Sequence, residues 1–217
     1  MKKAIIFDFD GLIIDTESAW HYAFETHLKE NFQYDMKMED FLTCIGSTND
    51  HFMQRLNEDI NLGDGKEELL RTVNAAAKDR SENLPLMAGI YDLLEYAKAN
   101  DIVCVIGTSS NREHIERHLD RLNIRQYFDH YVTSDIVENI KPNPDIYNKA
   151  AELIGLPKED IVIFEDSLNG LIAGNRAGID VVIVANMVTK HIDFPETYLD
   201  LVHSMEDYSY QDLFSKE

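Results

Sequence analysis

Hydrophobic residues along the chain fall into short unbroken runs, and the segments between these runs have helical periodicity. The strongest runs are 4–7, 102–106, 161–164 and 181–184. Continuous apolar runs of this length are typical of strands that are buried on both faces of a parallel sheet. A weaker run at 131–132 and the segment 199–202 are candidates for further strands, the latter at an edge of the sheet.

The segments between the runs place their apolar residues three and four positions apart, which predicts helices. The clearest helical segments are 89–99, 112–122, 145–154 and 168–177. Glycine or proline follows several of them, as in Gly155-Leu156-Pro157 and Ala177-Gly178, and these residues are typical helix stops. Alternating strands and helices predict an α/β fold with a doubly wound parallel sheet.

Residues 16–84 break this alternation. The segment has no convincing buried strand, and its apolar residues recur at helical spacing, as in Trp20, Phe24 and Leu28. We therefore expect an α/β core formed by 1–15 and 85–217, with 16–84 inserted as a helical domain of about three to five helices. The connections around 11–16 and 84–89 would be hinges, and Trp20 is expected to pack inside the insertion.

The composition narrows the possible partners. The 217 residues include 40 acidic and 20 basic ones, which gives a formal net charge of −20. Such a charge argues against nucleic acid or an anionic membrane as a partner. There is no signal peptide pattern and no apolar stretch of membrane length, so we expect a cytoplasmic protein, and a monomer. Of the two cysteines, Cys44 and Cys104, the second lies inside the apolar run 102–106 and is expected to be a buried free thiol.

Polar side chains follow the predicted strands, where the strands of a parallel sheet end at a common edge. Asp8 and Asp10 follow the first strand, and Gly11 permits a sharp turn after them. The later loops contribute Thr108-Ser109-Ser110, Lys141-Pro142 and Glu165-Asp166-Ser167. Carboxylates bind Mg²⁺ through hard oxygens, whereas hydroxyls, backbone N–H groups and lysine suit phosphoryl oxygens. The sequence thus predicts a phosphate-and-magnesium site.

The first two acids are expected to differ in protonation. A nucleophilic Asp8 must be ionised, and Mg²⁺ beside it would keep it so. An acid that protonates a departing alkoxide must hold a proton, and Asp10 could point toward the leaving group. An aspartate nucleophile implies an aspartyl-phosphate intermediate.

Each feature also has a simpler interpretation. Residues 8–11 could form only a turn, although an EF-hand is excluded because its glycine belongs at the sixth position. The hydroxyl cluster could cap the helix that begins near Asn111, and it can serve both purposes. Glu165 and Asp166 could be a charge pair at a helix N-terminus.

Two further features are assigned to structure rather than chemistry. His114 and His118 lie four residues apart on a predicted helix, and Glu116, Arg117 and Arg121 surround them. We therefore expect a solvated helix face rather than a metal site. The acidic tail from Met205 onward is expected to be a surface helix.

The four motifs together resemble the haloacid dehalogenase superfamily, in its branch of small phosphatases and β-phosphoglucomutases with a helical cap. The motifs, in chain order, are Asp8-Phe9-Asp10-Gly11, Thr108-Ser109-Ser110, Lys141-Pro142 and Glu165-Asp166-Ser167. The similarity extends over the whole chain, including Asp15-Thr16-Glu17-Ser18 and residues 170–178.

The resemblance implies a role for each motif. Asp8 would be the nucleophile and Asp10 the general acid/base, while Thr108 and Lys141, with Ser109 beside them, would hold the phosphoryl oxygens. Mg²⁺ would rest on Asp8, the backbone carbonyl of Asp10 and Asp166, with Glu165 in or next to the ligand shell. The helical cap would close over the substrate and exclude water.

The resemblance leaves a phosphatase and a mutase as alternatives. In the mutases an arginine on a glycine-containing cap loop holds a second phosphate, but the matching segment here, 45–50, has no Lys or Arg. The mutases also have a hinge histidine at the position occupied here by Trp20, and His21 comes one place late. We therefore expect a phosphatase that hydrolyses a small phosphomonoester, such as a sugar phosphate. A β-phosphoglucomutase is the alternative, and a silent metal-binding protein of the same fold is a third.

Overall fold

A six-stranded parallel sheet forms the centre of the computed structural model, which describes residues 1–45 and 50–215. The strand order is β3-β2-β1-β4-β5-β6. The strands are β1 (Ala4–Phe7), β2 (Val103–Gly107), β3 (His130–Val132), β4 (Ile161–Glu165), β5 (Asp180–Val184) and β6 (Asp200–Val202). The apolar runs thus became strands, and the predicted doubly wound fold is confirmed.

The helices of the described residues follow the predicted alternation in the α/β part of the chain. The helices are α1 (Thr16–Phe32), α2 (Met38–Phe41), α3 (Asp50–Ile60), α4 (Lys66–Ser81), α5 (Ile90–Ala99), α6 (Arg112–Leu122), α7 (Asp145–Ile154), α8 (Leu168–Ala177) and α9 (Gln211–Phe214). Helices α6, α7 and α8 have the bounds that hydrophobic spacing predicts. Among the described residues, α1 to α4 are the α-helices of residues 16–84, which we call the helical insertion.

Strand β1 lies at the centre of the sheet, with β2 paired on one side and β4 on the other. Ile5 is opposite Cys104 on one side and Val162 on the other, and the whole strand is buried. The chain proceeds outward from β1 to β3 in one direction, then from β4 to β6 in the other. In such sheets ligands bind where the strand order reverses, at the carboxyl ends of the strands. That place is the end of β1.

The apolar side chains form three clusters. Two of them cover the opposite faces of the sheet, one with Phe7 and Phe164 and the other with Ile6 and Ile163. The third joins the helices of the insertion around Phe24, Phe41 and Phe52, whose rings meet edge to face. Each cluster is large enough to exclude water from its own helices.

The C-terminal segment corrects one expectation. The predicted surface helix from Met205 is only the short helix α9, and Met205, Tyr210 and Phe214 are buried in a core cluster against the sheet. The segment was expected at the surface because it is acidic, but its apolar residues pack against the core. Cys104 is a buried free thiol, as expected, and Cys44 is one as well. Within the part of the chain that is described, no helix is both long and apolar enough to cross a membrane.

Candidate active site

A buried ion pair joins the end of β1 to the loop before α7. The Lys141 ammonium lies 2.6 Å from Asp8 Oδ1 and 2.7 Å from Glu165 Oε1. All three side chains are almost fully buried. Because 133 residues separate Asp8 from Lys141 in sequence, only the parallel sheet brings these loops together.

Glu165 at the end of β4 has both carboxylate oxygens engaged. Its Oε1 accepts from Lys141 and from the Tyr147 hydroxyl, and its Oε2 accepts from the backbone N–H groups of Asp166 and Ser167 and from the Ser167 hydroxyl. Burial opposes its charge, but Lys141 and these donors hold the pKa of Glu165 below its usual value. This arrangement favours Glu165 as the residue that orients Lys141.

Asp8 has a different electrostatic balance. Burial raises its pKa, and although the charge of Lys141 opposes this, those of Glu165 and Asp10 add to it, so that the pKa is about 7. One ammonium therefore does not compensate the acids gathered here. A divalent cation would, since it favours the ionised form of each carboxylate near it.

Asp10 is held by three side-chain donors. Thr16 Oγ1 and His114 Nε2 each lie 2.9 Å from its Oδ1, and Ser110 Oγ lies 2.6 Å from its Oδ2. Burial raises the pKa of Asp10, but the neighbouring His114 and these hydrogen bonds outweigh it and bring the pKa to about 2. The structure thus holds Asp10 as a carboxylate, whereas the sequence led us to expect a protonated acid.

The hydroxyl cluster after β2 faces the same space. Thr108 is buried, and its Oγ1 accepts the Ser110 N–H at 3.0 Å. The Ser109 hydroxyl is buried without a hydrogen-bond partner among the described residues, which leaves a polar group available for a ligand. Asn111 caps helix α6 by accepting the His114 N–H, so the cap does not require Thr108 or Ser109.

The acids at this edge fit a metal ion. Carboxylate oxygens of Asp8, Glu165 and Asp166 lie within 4.8 Å of one another, and all three side chains are buried. Burial and the charges of Glu165 and Asp8 raise the pKa of Asp166 well above its usual value. Among the described residues, the Asp166 carboxylate accepts a hydrogen bond from the Asn186 amide, at 2.7 Å. Crowded carboxylate oxygens are the hard-oxygen setting that binds divalent cations.

A cavity of about 470 Å³ lies over these groups, between the sheet edge and the helical insertion. The sheet edge contributes residues from all four motifs, and the insertion contributes Thr16, Glu17, Trp20, Phe41 and Cys44. Six of the seven candidate residues thus line this cavity, whereas Glu165, which bonds to Lys141, does not. Trp20 packs against Phe24, as expected, and also borders the cavity.

The expectation of a solvated histidine face on α6 was wrong. His118 is fully buried, and His114 bonds to Asp10. The charged residues around them gave no signal of this, because α6 docks on Phe9 in the loop after β1 through both imidazole rings. Helical spacing shows which residues share a face, but it does not show what that face contacts.

Two further residues of the site were not singled out in the sequence. Tyr147 on α7 donates to Glu165, and Asn186 holds both Asp166 and the Gly11 carbonyl. Asn186 had a usable signal, since it follows β5 at the same sheet edge as the other motifs. The loop compared with the mutases falls on residues 46–49, which lie outside the described residues.

The fold and the site define a hydrolase with a doubly wound α/β core, of the kind that the motifs suggested. The sequence model of the haloacid dehalogenase-like hydrolases matches residues 5–184. The chain belongs to this family. The prediction of its helical-cap branch, and of a phosphoric monoester hydrolase as the enzyme class, is confirmed.

Similar proteins cover almost the whole chain. The protein YhcW of Bacillus subtilis is 33% identical over 208 residues, which are 95% of this chain and 94% of that protein. The phosphorylated carbohydrates phosphatase of Thermotoga maritima is 33% identical, over 82% of each chain. Among solved structures, CbbY of Rhodobacter sphaeroides in complex with phosphate superposes with a TM-score of 0.72 at 25% identity, covering 95% of this chain and 96% of that one.

Proposed function

We propose that this protein is a Mg²⁺-dependent phosphatase that hydrolyses a small phosphomonoester, such as a sugar phosphate, through phosphorylated Asp8. The observation that carries the proposal is the meeting of Asp8, Thr108, Ser109, Lys141 and Asp166 around one cavity. Activity on phosphorylated carbohydrates in the Thermotoga maritima relative supports this substrate class.

Asp8 and Asp166 would hold the metal ion, with the backbone carbonyl of Asp10 as the resemblance implies. A bound Mg²⁺ would supply positive charge that keeps Asp8 ionised and offsets the charge of the phosphoryl group. Lys141 adds a second positive charge beside Asp8. Glu165, with its oxygens already engaged by donors, would orient Lys141 rather than join the ligands.

In the first step the Asp8 carboxylate attacks phosphorus, and the bond from phosphorus to the ester oxygen breaks. Thr108, Ser109 and Lys141 hold the phosphoryl oxygens. The departing alkoxide takes a proton from Asp10, which becomes a carboxylate. Asp10 in this state has three donors ready for it: Thr16, Ser110 and His114.

In the second step water attacks the phosphorus of the aspartyl phosphate, and Asp10 takes up a water proton as general base. The bond between phosphorus and the Asp8 oxygen breaks, which releases inorganic phosphate and restores both acids. A pKa of about 2 keeps Asp10 ionised, so that its carboxylate can accept the proton in this step. To hold the proton that it gives up in the first step, Asp10 must lose some of its hydrogen-bond donors when substrate binds.

We further propose that the helical insertion acts as a cap, with the boundaries 1–15, 16–84 and 85–217. Glu17, Trp20 and Phe41 of the insertion line the cavity together with the sheet edge. A substrate enclosed between the two would be shielded from bulk water, which strengthens the charge interactions beneath the cap.

The test is phosphate release from p-nitrophenyl phosphate and a panel of sugar phosphates, with Mg²⁺ and with EDTA. We expect turnover only with the divalent ion and none in Asp8→Asn, while Glu152→Gln on the surface of α7 retains full activity. Borohydride should convert phosphorylated Asp8 to homoserine, which peptide mass spectrometry detects. Turnover that survives EDTA, or a bisphosphate-primed exchange of glucose 1- and 6-phosphates, would contradict the proposal.

A further inference from the structure

A second cavity of about 280 Å³ adjoins the first, between α4 of the helical insertion and α6 of the core. Four residues line both cavities, and these are Thr16, Trp20, Asn111 and His114. The two cavities therefore adjoin at these residues, and we call the second one the side pocket.

Two cations reach the side pocket from opposite walls, Lys78 from α4 and Arg117 from α6. Among the described residues, neither forms an ion pair with a carboxylate. Glu113, the acid that lines the same pocket, is paired with neither of them. The chain has 40 acidic residues, so a shortage of carboxylates does not explain why these two cations are unpaired in the described part of the chain.

The neighbours of Arg117 do not neutralise its charge. Its Nη2 lies 3.3 Å from His114 Nδ1 and 3.3 Å from His118 Nε2, and its Nε is buried without any hydrogen-bond partner among the described residues. A guanidinium can only donate, and an imidazole carries no negative charge. Arg117 is thus held in place by two rings that do not offset its charge.

We propose that the side pocket binds a second anionic group of the substrate, a phosphate or a carboxylate remote from the phosphoryl group that is hydrolysed. This inference rests on the proposed phosphatase function and specifies its substrate class. Arg117 can bind such a group through two parallel N–H donors, and Lys78 adds a mobile point charge from the insertion. The amides of Asn74 and Asn111 border the same space and can donate to it.

The position of the two cations gives the side pocket a consequence for closure. Lys78 belongs to the insertion and Arg117 to the core, so one anion between them links the two parts of the chain. A substrate with a second anionic group therefore stabilises the closed arrangement more than one without it.

The first experiment compares matched substrates. The kcat/KM is measured for fructose 1,6-bisphosphate against fructose 6-phosphate, and for 3-phosphoglycerate against glycerol 3-phosphate, at constant free Mg²⁺. Within each pair we take the ratio of kcat/KM for the compound with the second anionic group to that for the compound without it. We expect this ratio to exceed one for the pair whose second group fits the side pocket. Comparison of the two pairs then shows whether the pocket prefers phosphate or carboxylate. Lys78→Met and Arg117→Gln should each lower that ratio about tenfold, because each removes a charge-assisted contact.

Arg71→Met is the matched control, since Arg71 is also on α4 but pairs with Glu68 on the surface. It should leave the ratio unchanged, which separates a local contact from the effect of net charge. Ratios near one in the wild type for both pairs would overturn the inference. Equal effects of the Lys78 and Arg71 variants would do the same.

Binding can be followed independently of turnover, because Trp20 is the single tryptophan and borders both cavities. Its fluorescence is titrated with the same four compounds in the Asp8→Asn background. It should show tighter binding of the compound that has the preferred second anionic group, and Lys78→Met should remove this difference. If no phosphomonoester is hydrolysed but this difference persists, the phosphatase proposal fails and the side pocket stands. If turnover occurs and the difference is absent, the side pocket fails alone.

Discussion

Asp8 and Asp10 are two residues apart and have opposite surroundings. Asp8 meets one ammonium and two further acids, whereas Asp10 meets two hydroxyls and an imidazole. The pKa is therefore about 7 for Asp8 and about 2 for Asp10, which reverses the order that the chemistry of the first step requires. In the proposed mechanism a divalent cation beside Asp8 would correct the first value, and withdrawal of donors on substrate binding would correct the second.

The acid role of Asp10 can be tested through the leaving group. We expect Asp10→Asn to lower kcat/KM for alkyl phosphates about a hundredfold or more, because the departing alkoxide then lacks a proton donor. For p-nitrophenyl phosphate the loss should be much smaller, since nitrophenolate leaves without a proton. Steady-state rates on both esters measure this, and equal losses would remove the acid role.

His118 should make the fold sensitive to acid. Burial, followed by the charges of His114, Arg117 and Arg121, lowers the pKa of His118 to about 4. A histidine that is harder to protonate when folded stabilises the protein above its unfolded pKa, near 6.5, and loses this contribution as pH falls toward 4. Between pH 6.5 and 4.5, the unfolding free energy of the wild type should fall by about 1 to 2 kcal/mol more than that of His118→Gln.

Urea unfolding at a series of pH values measures this effect. The exposed His203 provides the control, since His203→Gln should follow the wild-type curve. A His118→Gln curve parallel to the wild type would show that the buried imidazole is protonated as easily in the folded as in the unfolded chain.

At the scale of elements, helix α8 lies directly against the site. Its first turn is capped by Ser167, and a Cβ added to Gly170 would overlap the Glu165 carboxylate. Since Glu165 orients Lys141, the close approach of this helix determines where the lysine lies. Glycine is required here by contact and not by backbone conformation.

We therefore expect Gly170→Ala to destabilise the protein by about 1–3 kcal/mol and to lower kcat by displacing Glu165 and Lys141. Gly65→Ala is the matched variant, because a Cβ there meets nothing and its backbone is helical. Thermal unfolding and steady-state kinetics of the two variants give the comparison. Full activity of Gly170→Ala would mean that the helix can withdraw without moving the lysine.

At the scale of the whole molecule, the proposed metal site would couple metal binding to the stability of the fold through charge. Asp8 and Asp166 are buried acids with raised pKa values, so their mutual repulsion lowers stability until a cation binds. We expect Mg²⁺ at about a hundred times its Kd to raise Tm by about 5 °C or more. Asp166→Asn should raise Tm in EDTA and abolish the Mg²⁺ shift, because it removes both the repulsion and a ligand.

Differential scanning fluorimetry with and without Mg²⁺ measures these shifts. Asp160→Asn, which breaks a surface pair with Lys3, should keep the full Mg²⁺ shift and serves as the control. A shift retained by Asp166→Asn would place the metal elsewhere and contradict the proposed ligand set.

The sequence predicted the features that depend on residues close together in the chain, and it missed those that depend on distant ones. Hydrophobic runs and helical spacing are local, so they predicted the strands and the bounds of α6, α7 and α8. The order of polar residues after the strands predicted that Asp8, Thr108, Lys141 and Asp166 would share one edge, because parallel strands end together. The packing of His114 and His118 and of the buried tail had no such local mark.

The sequence by itself determined the fold, the family and the set of side chains at the sheet edge, since periodicity and residue type are enough for these. Only the tertiary structure decided which donors each carboxylate received, and hence that the pKa is about 2 for Asp10 and about 7 for Asp8. It also decided that Lys78 and Arg117 face one pocket. The physical reason is that charge interactions depend on distances of a few ångströms between residues far apart in sequence, and these distances exist only after packing.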